Sequence, residues 1–213
     1  MKTVKFLFVL LFILSTPLQL FGRVTESAEN LLHVIHRVNR HWQENNSPQV
    51  RSFWDNAAYH TGNMEVYELT GNTAYLKYST DWAEYNHWKG AASDNKAEWR
   101  YGYGETPQYV LFGDWQCCFQ TYADLYGIRG DDRKIARARE VMEYQMGTDK
   151  NDYWWWADGL YMVMPVMTKL HRITKNPLYL EKLYEYFSYA DSVMYDPEVG
   201  LYYRDGSFFY PKH

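Results

Sequence analysis

The sequence predicts an all-α domain built from antiparallel helix pairs that repeat along the chain. Apolar residues recur at spacings of three and four, as in the series Leu160, Val163, Met164, Met167 and Leu170. This is the period of an amphipathic helix. Short breaks rich in Gly, Asn or Pro separate the two helices of each pair. Such pairs, repeating every several tens of residues, are typical of an α-solenoid or a closed α/α toroid.

Three segments of the chain are each predicted to form a helix, a short turn and a second helix. Their first helices open at residues 54–56, 114–116 and 157–159, and their turns fall at 70–72, 127–130 and 174–177. A further amphipathic helix is predicted over 27–42, and no β-hairpin is predicted. The long linker at 89–113 favours the toroid, because loops of this length and composition commonly line sites.

The first 22 residues have the features of a secretory signal peptide. Lys2 and Lys5 precede an apolar run at 6–14, and a small residue, Gly22, closes the cleavage zone. The run is too short to span a membrane. We therefore expect one domain over residues 23–213. We also expect the protein to be exported, either periplasmic or secreted, with no membrane attachment once the signal has been removed.

Charge and cysteine usage exclude several classes of protein. The formal net charge is −4 at pH 7 and no basic run follows the signal segment, so nucleic-acid binding has no electrostatic support. The neighbours Cys117 and Cys118 lie in an apolar helix, which indicates two buried thiols rather than a disulfide framework. No closed set of metal ligands has the required spacing, so we predict no metal and no other cofactor.

The most informative motif is Trp154-Trp155-Trp156 running into Asp158. Indole faces bind the flat apolar faces of sugar rings, and a carboxyl group beside them is desolvated, which raises its pKa and suits a proton donor. Aromatic residues make up 19% of the chain, which fits a groove for sugars. This pattern indicates a carbohydrate enzyme. Core packing of the tryptophans and helix capping by Asp158 form the alternative.

Asp55, Asp114 and Asp158 each lie at the opening of the first helix of a pair. Helix capping predicts the same spacing, because an Asp there accepts backbone N–H bonds at the positive end of the helix dipole. Capping lowers a carboxyl pKa, whereas a general acid must keep its proton near neutral pH. The two interpretations therefore predict opposite pKa shifts.

Candidate substrate contacts come from the first pair and from the tryptophan motif. Asn56 and His60 lie one helical turn apart, so both could face a pocket together with Trp54. A histidine packed in a helix seam is the alternative for His60. Trp154 and Trp156 are candidate sugar platforms, although three consecutive indoles cannot all face one ligand.

A basic side chain is needed if the sugar carries a carboxylate. Arg100 or Lys96, both in the long linker, could bind that group. Nothing in their spacing singles either of them out. The neighbouring run Tyr101-Gly102-Tyr103-Gly104 lacks the Lys-Ser/Thr and the strand of a phosphate-binding loop.

The segments 113–122 and 154–162 resemble matching motifs of the unsaturated glycuronyl and rhamnogalacturonyl hydrolases, glycoside hydrolase families 88 and 105. The similarity runs from about residue 31 to residue 209 and includes 68–72 and 202–205. This resemblance implies an (α/α)6 barrel, with the pocket where the N-termini of the inner helices converge.

The resemblance also implies the reaction, which is hydration of a vinyl ether rather than displacement at the anomeric carbon. A carboxylic acid protonates C4 of a 4,5-unsaturated uronate, water adds at C5, and the resulting hemiketal collapses to release the neighbouring sugar. Carried over to this sequence, Asp158 would be the general acid/base and Asp114 its partner. The expected substrates are unsaturated galacturonyl-rhamnose oligosaccharides left by a polysaccharide lyase in pectin or rhamnogalacturonan degradation.

The chain departs from the family pattern in two ways. Trp115 and Phe119 stand where relatives commonly have a second acid and a glycine. About seven helices are predicted where the barrel needs twelve, so we expect a C-terminally truncated member that holds the N-terminal half of the barrel. An incomplete barrel exposes apolar edges, which predicts association through the open edge. The alternatives are another α/α-toroid carbohydrate enzyme, such as an inverting hydrolase or an epimerase, and an inactive sugar-binding protein.

Overall fold

The computed structural model describes residues 27–208. The chain divides into two compact units, Met1–Ser47 and Pro48–His213. In the first unit, residues 27–45 form helix α1, which confirms the predicted helix and extends it by three residues. The predicted signal peptide at 1–22 lies outside the described residues, so export stays a prediction.

The second unit contains the three predicted helix pairs. The first pair is α2 (Trp54–Thr70) and α3 (Thr73–Tyr85); the second is α4 (Gly113–Gln116), α5 (Cys118–Ile128) and α6 (Arg133–Met146); the third is α7 (Ala157–Thr174) and α8 (Leu178–Met194). Only the single residue Cys117 separates α4 from α5, and its backbone is helical. The break predicted from Gly127 begins later than expected, because α5 continues to Ile128.

Local turn chemistry explains where the first and third pairs reverse direction. Gly71 adopts a left-handed conformation, with φ of 68°, and its N–H bonds to the carbonyl of Tyr67. The next residue, Asn72, accepts a hydrogen bond from Ala74 N and caps the start of α3. At the third turn Lys175 is left-handed, with φ of 60°. Asn176 Oδ1 then accepts a bond from Leu178 N at the start of α8.

The first helices of the pairs form an inner layer, and the second helices form an outer layer. Helix α5 packs against both α2 and α7, while α3, α6 and α8 each pack against the inner helix of their own pair. Fully buried apolar side chains such as Met64, Phe119, Val163 and Met167 fill the space between the layers. The arrangement is part of an α/α toroid, which confirms the predicted fold class. It also directs the N-termini of α2, α4 and α7 toward one end of the layer.

The linkers carry the remaining regular structure. A 3₁₀ turn covers Lys96–Glu98 in the long linker. After α8, strands β1 (Tyr195–Asp196) and β2 (Leu201–Tyr202) pair in antiparallel register, so the prediction of no hairpin is wrong. Strands of two residues are too short to show the alternation on which such a prediction depends. A single bridge then joins Trp156 to Asp205 and connects this hairpin to the start of α7.

Three further features concern the described residues as a whole: the cysteines, the apolar character of the helices and the grouping of possible metal ligands. Cys117 and Cys118 are free thiols and fully buried, as predicted. In the described part of the chain, no helix combines the length and the apolar character that a membrane span requires. Residues 27–208 also contain no group of three or more His, Cys, Asp or Glu side chains arranged to hold a metal ion.

Candidate active site

The N-terminal ends of the three inner helices border a cleft of about 800 Å³. It lies within the second unit, and its walls combine aromatic rings with carboxylates and one guanidinium. The residues that line it are Trp54, Ala58, Tyr103, Phe112, Asp114, Cys117, Trp155, Trp156, Asp158, Tyr161, Met162, Arg204 and Asp205. The structure therefore brings together four of the predicted site residues, Trp54, Asp114, Trp156 and Asp158.

Asp114 and Asp158 enter the cleft from equivalent positions of two inner helices. Each is the second residue of its helix, and the N-cap residues are Phe112 and Trp156. These N-cap side chains make no capping hydrogen bond. The two aspartates therefore do not occupy the position at which an Asp side chain normally caps a helix.

Asp114 is the more buried of the two acids, with 5% of its surface exposed. Burial raises its pKa to about 7, and the negative charge of Asp158 contributes further in the same direction. Glu105 and Asp55 add smaller effects of the same sign. Helix capping predicts a lowered pKa, so the raised pKa of Asp114 favours a desolvated acid at this position. Asp114 therefore holds a proton up to about neutral pH.

Asp158 has a different environment, because its side chain is exposed at the cleft surface. It is therefore the acid that can contact a molecule entering from solvent. Tyr161 lies three residues further along α7, on the same helix face, and also lines the cleft. The negative charge of Asp158 contributes to the raised pKa of Asp114, so the two carboxyl groups interact electrostatically.

Stacked aromatic rings form the wall behind the acids. Phe112 and Trp156 stack with ring centroids 4.7 Å apart and an interplanar angle of 28°. Gly113 makes this contact possible, because a Cβ at that position would lie 3.0 Å from the Trp156 ring. Trp155 packs beside Trp156 at 5.1 Å. Trp156 is 7% exposed and Trp155 is half-buried, so the wall presents an aromatic surface next to the carboxyl groups, of the kind that packs against the apolar faces of sugar rings.

Among the described residues that line the cleft, Arg204 carries the positive charge. It follows the β-hairpin, and its guanidinium pairs with Asp205 at 2.8 Å while the side chain remains 71% exposed. The two candidates from the linker have other partners. Lys96 pairs with Glu140 at 3.1 Å, and the Arg100 guanidinium lies over the ring of Tyr109 at 5.8 Å. Neither of them is among the described residues that line the cleft.

A small polar network fixes one rim of the cleft. Arg51 forms ion pairs with Glu105 at 2.5 Å and with Asp55 at 3.4 Å. The hydroxyl of Tyr103 donates a hydrogen bond to Glu105 at 3.0 Å. These contacts connect the linker to the start of α2 and hold the exposed ring of Tyr103 at the cleft entrance.

His60 does not face the cleft, so that part of the sequence-based assignment is wrong. Its ring lies in the seam between α2 and α3, stacked on Trp82 at 3.9 Å and on Tyr78 at 5.5 Å. Ser79 Oγ lies 3.0 Å from its Nδ1. Burial lowers the pKa of His60 to about 3. The alternative of a histidine packed in a helix seam is therefore the correct one.

Asn56 and Trp154 were also predicted to contact substrate, and the described cleft includes neither. The amide of Asn56 donates to Asp55 Oδ1 at 3.1 Å, outside the lining of the cleft. Trp154 is 1% exposed, and its ring meets the edge of Tyr186 from α8 at 5.3 Å. Trp154 is therefore a core residue, and its neighbour Trp155 takes the cleft position instead.

The buried state of His60 predicts a pH dependence of stability. Its pKa falls from 6.5 to about 3 on folding, so between these values the unfolded chain binds more protons. The contribution of neutral His60 to the free energy of unfolding is therefore complete above pH 6.5. It is lost as the pH falls toward 3, at about 1.4 kcal/mol per pH unit. We expect His60→Gln to remove this component, which amounts to roughly 3 kcal/mol between pH 6.5 and 4.

Urea unfolding of wild type and His60→Gln at pH 7 and pH 4.5 tests this expectation. Gln keeps a neutral partner for Ser79, so any packing loss appears equally at both pH values. Between pH 7 and pH 4.5 the unfolding free energy of the wild type should fall by more than that of His60→Gln. An unchanged difference would show that His60 does not titrate in this way.

Sequence reasoning missed Arg204, Asp205, Trp155, Tyr161 and Tyr103 as cleft residues. The spacing of Tyr161 from Asp158 could have predicted its place in the cleft, because residues three apart share a helix face. No such spacing relates Arg204 to the predicted acids. It reaches the cleft only because the hairpin after α8 returns to the start of α7, where Ala157 N donates to Arg204 O at 2.7 Å.

Comparisons with known proteins identify the family of the chain. An unsaturated 3S-rhamnoglycuronyl hydrolase of Formosa agariphila is 25% identical over 163 residues, which cover 73% of this chain and 41% of that protein. A solved glycosyl hydrolase family 88 protein from Bacteroides vulgatus is 70% identical, with a TM-score of 0.85. The match covers 87% of this chain and 53% of that one.

A second solved chain, described as a polysaccharide lyase, is 69% identical, also with a TM-score of 0.85 and 53% of its length covered. The chain thus spans about half the length of these relatives. The family model described as Glycosyl Hydrolase Family 88 matches residues 28–213, which include every residue of the cleft. The chain therefore belongs to glycosyl hydrolase family 88.

Proposed function

We propose that the cleft binds short oligosaccharides that end in a 4,5-unsaturated uronate and releases that residue by acid/base hydration of its double bond. One observation carries this proposal. A buried acid with a pKa of about 7 and an exposed acid lie in one aromatic cleft together with a guanidinium. The name of the similar Formosa agariphila protein, an unsaturated rhamnoglycuronyl hydrolase, supports the substrate class.

The proposed reaction begins with transfer of a proton from the acid pair to C4 of the uronate. Water adds at C5, and a carboxylate takes up a proton of that water, which restores the pair. The C5 hemiketal then opens by breaking the bond from C5 to the ring oxygen, leaving a ketone at C5. The hemiacetal that remains at C1 collapses to an aldehyde and releases the neighbouring sugar as an alcohol.

Within this scheme we assign direct proton transfer to Asp158, because it is the acid exposed to the cleft. Asp114 is assigned the role of its partner. Burial and the facing negative charges keep a proton on Asp114 up to about pH 7, and in the proposed scheme this proton passes to Asp158, which delivers it to C4. General acid catalysis of this kind contributes about 10²- to 10⁴-fold to a rate.

Arg204 is proposed to bind the uronate carboxylate. It is the guanidinium among the cleft residues, and a planar guanidinium matches a carboxylate with two parallel hydrogen bonds. Trp155 and Trp156 would contact the sugar face, while Trp54 and Tyr103 lie at the more exposed edge of the cleft. Galacturonyl-rhamnose from rhamnogalacturonan remains our proposed natural substrate.

The carboxylate contact predicts a specific defect in an Arg204→Gln variant. Loss of a charge-assisted hydrogen-bonded pair costs about 1.5–3 kcal/mol, so KM should rise about 10- to 100-fold. The value of kcat should change much less, because the contact is made in the ground state as well as in the transition state. Steady-state kinetics on an unsaturated uronyl disaccharide measure both constants. A KM equal to that of wild type would remove Arg204 from the binding site.

The direct test of the function is turnover of unsaturated galacturonyl-rhamnose by the purified chain, followed by loss of the conjugated alkene absorbance. The alkene absorbance should fall with the wild-type chain and stay constant with Asp158→Asn. A folded sample without turnover would contradict the proposal for this chain, and calorimetric titration with the same disaccharide would then show whether it binds sugar without reacting.

Export of the protein is a separate proposal, which rests on the signal-like sequence at 1–22. Cleavage near residue 23 is the expected outcome in a secreting bacterial host. N-terminal sequencing of protein recovered outside the cytoplasm would give a sequence that starts close to Arg23. Protein that retains Met1 and stays in the cytoplasm would contradict it.

A further inference from the structure

The guanidinium of Arg204 is held along one edge by the residue that follows it. Its Nε and Nη2 donate to Asp205 Oδ2 at 3.0 and 2.8 Å. The ring of Phe208 lies beneath it, with the guanidinium carbon 5.0 Å from the ring centroid. The Arg204 side chain is largely exposed to the cleft, whereas only 4% of the Asp205 side chain is exposed.

Asp205 is itself fixed by the turn in which it lies. Its Oδ1 accepts hydrogen bonds from the backbone N–H and the hydroxyl of Ser207, at 2.9 and 2.5 Å. The backbone on either side is attached to the start of α7 through the bridge between Trp156 and Asp205 and the bond from Ala157 N to Arg204 O. Asp158 directly follows Ala157 in that helix. The turn and the exposed acid are thus both attached to the N-terminal end of α7.

The Asp205 contact leaves a defined part of the guanidinium free for a ligand. Of its five N–H groups, Asp205 uses the one on Nε and one on Nη2. The two on Nη1 and the second on Nη2 point away from Asp205. One N–H of Nη1 and the second N–H of Nη2 form the fork that binds a carboxylate through two parallel hydrogen bonds.

We propose that Asp205 is a positioning residue, which turns the free edge of Arg204 toward the uronate carboxylate and sets its place relative to Asp158. The inference deepens the proposed function and rests on it. A flexible arginine loses rotamer freedom when it binds a ligand, so fixing it beforehand lowers that cost. The pKa of Asp205 lies below its usual range, chiefly because of its hydrogen bond with Ser207 and in part because of Arg204, so the carboxylate stays charged.

A double-mutant cycle on Arg204 and Asp205 tests the proposal. Asp205→Asn should raise KM for an unsaturated uronyl disaccharide about 10-fold in the wild-type background, with little change in kcat. In the Arg204→Gln background it should have no further effect, because a residue that acts through Arg204 has nothing left to position. Effects that multiply in the double variant would overturn the proposal, as would an unchanged KM in the single variant.

Asp196→Asn is the matched control. Asp196 lies in the same hairpin and accepts bonds from Glu198 N and from the hydroxyl of Tyr203, at 2.8 and 3.1 Å, without contacting Arg204. A general weakening of the hairpin would affect this variant too. We expect its KM to stay within about twofold of wild type.

A readout that needs no turnover separates this proposal from the proposed function. In a ¹H–¹⁵N spectrum of the arginine side chains, the hydrogen-bonded Nε–H of Arg204 should give a slowly exchanging signal, identified by its loss in Arg204→Gln. Asp205→Asn should shift this signal or make it exchange rapidly. An unchanged signal would overturn the positioning role. A wild-type chain that shows the signal but neither binds nor converts the disaccharide would refute the proposed function instead.

Discussion

Replacing Asp158 by Asn is expected to lower turnover of an unsaturated uronyl disaccharide by about 10²- to 10⁴-fold. The amide has nearly the same shape but cannot deliver a proton to C4. KM should change little, because the proposed substrate contacts come from Arg204 and the aromatic wall rather than from this carboxyl group. Steady-state rates from alkene absorbance measure both values.

Asp81→Asn is the control for this variant. Asp81 lies on the outer helix α3, pairs with Lys77 and is not among the described cleft residues. Its loss should change turnover by no more than about threefold, a range typical of a surface substitution. Equal losses in both variants, or an Asp158→Asn variant as active as wild type, would contradict the assigned role.

Replacing Asp114 by Asn is expected to lower turnover by about 10²-fold and to change its pH dependence. The pKa of Asp114 is raised to about 7, so Asp114 loses its proton as the pH rises through that value. Wild-type activity should therefore fall on the alkaline side of pH 7. The residual activity of Asp114→Asn should lack this limb, because the amide does not titrate. If Asp114→Asn loses activity above pH 7 as the wild type does, another group causes that loss.

The same substitution should make the protein more stable at alkaline pH. The folded state of Asp114 binds its proton more tightly than the unfolded chain, whose carboxyl pKa is near 3.8. Its favourable contribution is therefore present at acidic pH and is lost as the pH rises through about 7, at a cost of up to about 4 kcal/mol. Urea unfolding at pH 8 should show Asp114→Asn to be the more stable protein. Equal or lower stability would mean that the buried carboxylate is compensated by other groups.

The helix pairs could be predicted because their signals are local. The apolar period of α7 and the turn residues Gly71 and Asn72 are visible in the sequence itself. Asp114 and Asp158 could be placed in the cleft because the family that the sequence resembles has its pocket where the N-termini of the inner helices converge, and Trp54 and Trp156 lie at such helix starts.

Residues whose surroundings come from distant parts of the chain could not be placed in this way. His60 is buried by Trp82 from the next helix, and Trp154 is buried by Tyr186 from α8. The residue spacing around His60 and Trp154 does not predict either contact. Arg204 reaches the cleft through a hairpin of two-residue strands, which is too short to be recognised from periodicity.

The central claim is that the cleft hydrates a double bond instead of displacing a group at the anomeric carbon. Parallel measurement of alkene absorbance and of released sugar by the wild-type chain tests it most directly. Hydration predicts that one alkene is lost for each sugar released, at the same rate. Release of sugar while the alkene absorbance remains would show attack at C1 and would contradict the mechanism.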